Sequence, residues 1–219
     1  MTRGVRMVML GRQGAGKGTQ CVRLSRHYVV PHISTGDMLR AAVREGTDLG
    51  RKAGELMAAG NLVPDDLMIG IVEDRLGRDD TTGRGYILDG FPRTVGQAEA
   101  LAQITAARPL DVVVDLHVAK DVVLERLASR RVCSDCAANY SVDKPPRYGW
   151  VCDNCGGDVV QREDDTPAAI AKRLAEYEAN TAPLIAWYKE RGLLEVVDGI
   201  GAADDVTERL YAAIDERRN

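Results

Sequence analysis

The feature that most restricts this chain is the stretch GRQGAGKGTQ at positions 11–20. It follows a short apolar run at 5–10 and precedes a helical pattern that continues to about His27. Gly11, Gly16 and Lys17 keep the spacing glycine, four residues, glycine, lysine, in which backbone N–H groups converge on phosphate oxygens. The helix that follows offers the positive end of its dipole to the same anion, and the lysine adds a point charge. Such a loop needs a strand to deliver it and a helix to leave it. The residues therefore predict a strand–loop–helix unit opening an α/β fold. The hydroxyl usually found directly after the lysine is displaced by one position, with Gly18 first and Thr19 second.

The remaining pattern extends that unit. Short apolar or β-branched runs at 32–34, 86–88, 110–118 and 193–197 read as strands. Helical stretches lie at about 37–46, 50–59, 65–77, 95–106, 120–130, 166–190 and 204–217, with Asp121 and Asp204 as N-caps of two of them. Strands alternating with helices imply a parallel sheet covered on both faces, a three-layer α/β/α core of P-loop type. Two regions break the rhythm, a helical one at 34–63 and a cysteine-rich one at 129–165. They are expected to be insertions, which leaves 1–33, 64–128 and 166–219 as the core.

Four of the five cysteines form two CxxC pairs, Cys133/Cys136 and Cys152/Cys155, with fifteen residues between the pairs. That spacing predicts a tetrahedral zinc site, and four thiolates leave no open coordination position for chemistry. Clustered CxxC pairs of this kind point to metal thiolates in a reducing compartment rather than to disulfides. A segment of fewer than about 40 residues buries little core, so a structural metal would supply its folding free energy. Two frames remain open for it: a rigid part of an enzyme, or a zinc ribbon reading nucleic acid with Arg130, Arg131, Lys144, Arg147, Tyr148 and Trp150. A net charge of −4 argues against general nucleic-acid binding. Cys21 reads as a packed core thiol, and His27, His32 and His117 have no ligand spacing. No apolar run approaches the ~18 residues of a membrane span and no leader precedes MVMLG, so a cytoplasmic location is expected.

Further motifs decide between the frames. The chain reads ISTGDMLR at 33–40, DGFPRTVGQ at 89–97, QREDD at 161–165 and VDG at 197–199. Together with GAGKGTQ, in this order, they resemble the adenylate kinase family, and 129–165 resembles the long, zinc-binding lid of some of its members. The resemblance implies a core with a small helical NMP-binding insertion (34–63) and a zinc-knuckle lid (129–165). It implies reversible, Mg²⁺-dependent transfer of the ATP γ-phosphoryl to AMP by a monomer, with nucleotides as partners and no nucleic acid or membrane.

On matching positions, the ATP side would comprise Gly14, Ala15, Gly16, Lys17, Gly18, Thr19, Arg126, Arg130, Asn139, Tyr140 and Gly201. The AMP side would comprise Thr35, Arg40, Asn61, Leu62, Val63, Gly90, Phe91, Pro92, Arg93, Gln97, Arg162 and Arg173. Lys17, Arg93, Arg130, Arg162 and Arg173 would meet the transferred group, with Asp89 orienting water bound to Mg²⁺. Asp164 and Asp165 would order the lid, interact with the water shell of the metal, or form ion pairs at the hinge. Relatives that use UMP or CMP commonly carry alanine in place of Thr35, which favours AMP. A GTP-using donor site stays open as the alternative. The chain departs from the family pattern at Gln13, where proline is common, at Asn61 and at Gly201.

Overall fold

The computed structural model describes residues 4–218; positions 1–3 and 219, assigned above to the core, lie outside the described residues. A parallel five-stranded sheet runs β2-β3-β1-β4-β8, built from β1 (Arg6–Leu10), β2 (His32–Ser34), β3 (Tyr86–Asp89), β4 (Val112–His117) and β8 (Leu194–Asp198). Alternation along the strands sends side chains to two cores. Met7, Met9, Val112 and Val114 pack with Leu24 of α1 (Lys17–Tyr28), Leu127 of α7 (Lys120–Ser129) and Leu210 of α10 (Ala203–Arg218). Val8, Leu10, Leu88 and Val113 pack with Val72 of α4 (Asp65–Leu76), Leu101 of α6 (Val95–Ile104) and Tyr188 of α9 (Pro183–Glu190). Each fully buried aliphatic side chain stabilises the sheet by about 1.5–3 kcal/mol.

The region 34–63 folds as α2 (Thr35–Arg44) and α3 (Asp48–Ala58). Both helices start on a hydroxyl cap: Ser34 accepts from the Asp37 N–H, and Thr47 from the Gly50 N–H. After α7 comes a small antiparallel sheet ordered β6-β5-β7, from β5 (Arg130–Cys133), β6 (Asn139–Ser141) and β7 (Val159–Val160). The sequence pattern contained no signal for these strands, which are two to four residues long. A one-turn helix α5 (Asp79–Thr82) was likewise unforeseen.

Three expectations need correction. The helix expected over 166–190 is divided into α8 (Pro167–Glu176) and α9 by one widened turn, Tyr177–Thr181, in which the Ala182 N–H reaches the Tyr177 carbonyl at 2.8 Å. Pro183 explains it, because proline has no N–H and its ring clashes with the carbonyl four residues back. Asp121 does not cap α7; Ala119 holds that place and Asp121 lies in the first turn, where its charge meets the dipole. Asp204 lies inside the first turn of α10 for the same benefit.

Candidate active site

Gly11 and Gly14 show why the loop between β1 and α1 is glycine-rich. At Gly11 (φ 134°) a Cβ would sit 2.6 Å from the Leu116 carbonyl oxygen, and at Gly14 (φ 82°) 2.9 Å from that of Val123. The loop is pressed against β4 and α7 in backbone conformations that side chains disfavour. Lys17 closes it from within, its Nζ donating to the carbonyls of Gly11 (2.7 Å) and Arg12 (3.0 Å).

This loop forms the floor of a cleft of about 720 Å³. Gly14, Gly16, Lys17, Gly18 and Thr19 line it from the loop; Thr35, Arg40, Asn61, Leu62 and Val63 from 34–63. Asp89, Gly90, Pro92, Arg93 and Gln97 follow β3, while Arg126, Arg130, Asn139, Tyr140, Arg162 and Arg173 complete the wall. Three residues named from the sequence do not line it. Ala15 and Phe91 are buried in the core, and Gly201 lies on the exposed turn before α10.

Charge is the cleft's dominant property. Among the described residues, the cations Lys17, Arg40, Arg93, Arg126, Arg130, Lys144, Arg162 and Arg173 line it against the carboxylates Asp37, Asp89, Asp143, Asp164 and Glu176. Burial pushes the Lys17 ammonium down, helped by Arg93 and Arg173 and opposed by Asp89. Burial likewise lowers Arg93 and Arg173, and with Arg130 and Arg40 nearby it brings Arg162 down to about 10. Burial disfavours each of these cations, so the cleft holds them at a cost that a polyanion would offset.

The arginines are held in place. Arg93 donates from Nε to the Gly90 carbonyl (2.8 Å), and its own N–H donates to Gln97 Oε1 (2.8 Å). The Gln97 Nε2 donates to Asp65 (2.7 Å), and the Thr181 hydroxyl to the Arg93 carbonyl (3.0 Å). Gln97, expected beside a base, thus also fixes the Arg93 backbone. Arg130 meets Asp165 through Nε (2.7 Å) and Nη2 (2.5 Å), and Arg173 contacts Asp164 (3.0 Å) and Asp165 (3.4 Å). Of the readings open for Asp164 and Asp165, the geometry is that of ion pairing. Arg40 pairs with Asp37. Arg126 donates to the carbonyls of Ala15 (3.1 Å) and Gly199, joining the loop to the end of β8.

Asp65 and Thr181 went unnoticed in the sequence, and His32 was given no role there. His32 Nε2 lies 3.5 Å from Asp89 Oδ2, and Cys21, His32 and Asp89 offer ligand atoms within 4.8 Å of one another. Burial pushes the Asp89 carboxyl up, but His32 and Lys17 outweigh it and hold it below the usual range. Asp89 is therefore an ionised oxygen donor on the cleft wall, a group suited to Mg²⁺ or its water. The position of His32 just ahead of ISTGD, on a strand registered against β3, is the one signal that could have exposed it.

Across the cleft, the four Sγ atoms of Cys133, Cys136, Cys152 and Cys155 lie within 4.8 Å of one another. Cys133–Cys155 is 3.4 Å and Cys136–Cys152 is 3.5 Å. A tetrahedron with Zn–S near 2.3 Å requires S···S of about 3.8 Å, so this donor set fits zinc. Tight turns present the pairs, with the Ala137 N–H on the Cys133 carbonyl and the Gly156 N–H on that of Cys152. Tyr140 connects this centre to the cleft: it lines the cleft, and its hydroxyl lies 3.4 Å from Cys152 Sγ while accepting from the Asp153 N–H (2.9 Å).

A parallel sheet ending in a phosphate loop, facing a cation-rich cleft between two covering segments, defines a P-loop phosphotransferase. The sequence model of the adenylate kinase family matches residues 9–193. The chain is 51% identical over 211 residues to an adenylate kinase of Citrifermentans bemidjiense, covering 95% of this chain and 98% of that one. It is 50% identical to one of Geobacter sp. strain M21, with the same coverage, and 50% identical to one of Moorella thermoacetica, covering 89% and 91%. The chain belongs to the adenylate kinase family.

Proposed function

We propose that the cleft binds ATP and AMP end to end and moves the γ-phosphoryl between them, reversibly, to give two ADP. The observation that carries this reading is the surplus of part-buried, positioned cations on both sides of one phosphate loop. Phosphoryl transfer asks little covalent work of a protein. It asks for two nucleotides in line, exclusion of water, and positive charge where negative charge is spread over the moving group.

In this assignment the loop from Gly14 to Thr19 holds the ATP phosphates by backbone N–H groups and Lys17. Arg126, Asn139 and Tyr140 border its nucleoside. Arg40 and Arg93 grip the AMP phosphate, while Thr35, Gln97 and the 61–63 segment enclose its base. Arg130, Arg162 and Arg173 come from opposite ends of the cysteine-rich segment and from α8, so they converge on the moving group when the cleft is covered. Mg²⁺ accompanying the nucleotide neutralises phosphate charge, and Asp89 is the residue that would hold its water. Zinc on the four cysteines keeps 129–165 rigid as a lid, with 34–63 as the cover on the AMP side. Among the described residues no helix is long and apolar enough to cross a membrane. Following the family resemblance, we propose a cytoplasmic location and a monomer.

The test is a coupled assay of ADP formed from ATP plus AMP, with GTP offered as donor and UMP or CMP as acceptor. ATP with AMP is expected to be the preferred pair. Absence of ADP formation with every pair would sink the kinase reading, and a preference for GTP would reassign the donor side alone.

A further inference from the structure

Cys21, His32 and Asp89 come from three elements, α1, β2 and β3, and meet at the wall of the cleft. A sulfur, an imidazole nitrogen and a carboxylate oxygen from them lie within 4.8 Å of one another. Three points that close share a centre no more than about 2.8 Å from each, against bonds of about 2.0–2.3 Å to zinc. Small side-chain rotations therefore bring all three into coordination distance.

The individual atoms support the same geometry. His32 Nε2 is enclosed, has no hydrogen-bond partner among the described residues, and stands 3.5 Å from Asp89 Oδ2. That is long for a hydrogen bond and close to the N···O edge of a tetrahedron around zinc. Lys17 acts on Asp89 through its charge, but its Nζ is committed to the carbonyls of Gly11 and Arg12. Among the described residues, His32 alone brings a basic nitrogen within ion-pair distance of that carboxylate. His32 and Asp89 line the cleft and Cys21 is buried behind them, so an ion reaches the trio from the cleft. The donor set also selects the ion. Mg²⁺ takes hard oxygen ligands and keeps its waters, whereas a thiolate with an imidazole suits softer ions.

We propose that Cys21, His32 and Asp89 form a second metal site, separate from the four lid cysteines, for a thiophilic divalent cation such as Zn²⁺, and that filling it inhibits phosphoryl transfer. The cation takes the place of the Cys21 thiol proton, which passes to water, and accepts lone pairs from the His32 ring and an Asp89 oxygen. Asp89 is then withdrawn from the water of Mg²⁺. The inhibition rests on the phosphotransferase reading above; the binding does not.

The experiment uses the full chain with zinc already on its lid thiolates, dialysed against buffered free Zn²⁺, and counts zinc per chain. Wild type is expected to reach two equivalents. Cys21→Ala and His32→Gln are expected to stop at one, their second-site affinity lower by about 100-fold or more, since even an outer partner of a ligand contributes 10- to 100-fold. Co²⁺ on wild type gives a measurement that needs no variant: the second equivalent adds the absorption of a single thiolate ligand. In the ADP assay with Mg²⁺ in excess, Zn²⁺ inhibits wild type as the second site fills, and Cys21→Ala needs about 100-fold more. Saturation of wild type at one equivalent would overturn the site, as would a second equivalent held equally well by Cys21→Ala. Full turnover with two equivalents bound would overturn the inhibition. A wild type that forms no ADP overturns the phosphotransferase reading, and the zinc count alone then decides the site.

Discussion

Arg93→Ala is expected to lower kcat/KM for AMP by about 10²–10³-fold while the dissociation constant for ATP changes by less than about threefold. The asymmetry follows from where Arg93 is held. Its Nε is committed to the Gly90 carbonyl and its backbone to Gln97 and Thr181, elements that follow β3 and α8 and stand apart from the phosphate loop. The guanidinium is part-buried on the cleft wall and disfavoured by burial and by Arg173, so it is already partly desolvated and oriented before an anion arrives. Removing it withdraws a charge-assisted contact and also lets water in. Lys17 and the loop glycines, which would carry the ATP phosphates, are untouched. Kinetics with each nucleotide varied in turn, plus direct ATP binding, check the result. An equal loss of affinity for both nucleotides would show that Arg93 supports the cleft as a whole.

Asp165→Ala should have the largest effect on stability, about 3–5 kcal/mol, the cost of leaving buried charges without their partner. Its side chain is 0% exposed, and it contacts both Arg130, which begins the lid, and Arg173 of α8. With that carboxylate gone, the Arg130 guanidinium (16% exposed) loses its partner beside Arg162, and Arg173 (20% exposed) keeps only Asp164. For a chain of this length the loss corresponds to a melting temperature lower by roughly 10 °C. Thermal and denaturant unfolding measure it. A change below about 1 kcal/mol would mean that water replaces Asp165 and that the pair does not join lid to core.

How much of this was legible beforehand varies with how local the cause is. The phosphate loop is written in contiguous residues, because a strand end, glycines and a lysine suffice to specify it. The strands of the main sheet were equally plain, since a buried parallel strand must be apolar throughout. The division of the helix at Tyr177–Thr181 was signalled by Pro183 but not its form, because a widened turn keeps both flanking helices in place and only packing decides between it and a break. The lid strands escaped notice for a different reason. Segments such as Val159–Val160 gain their order from the cysteine turns beside them, not from their own pattern. The Arg93–Gln97–Asp65 chain and the His32–Asp89 approach join residues from separate elements, and no spacing along one segment records such pairings. The cysteine quartet shows the opposite balance: its spacing announced a metal outright, while only the surrounding motifs and the cleft indicate what the metal serves.

We propose this division of labour: the cationic cleft would perform the transfer, and a metal held by the four thiolates would only maintain the lid that covers it. The most direct measurement strips the metal with a chelator, or removes a ligand by Cys133→Ser, and follows ADP formation from ATP and AMP at low temperature alongside the melting curve and the bound metal. The account predicts a lower melting temperature for the lid with substantial turnover remaining while the protein is still folded. Turnover that vanishes in proportion to metal lost, in a protein whose lid is still folded, would contradict it.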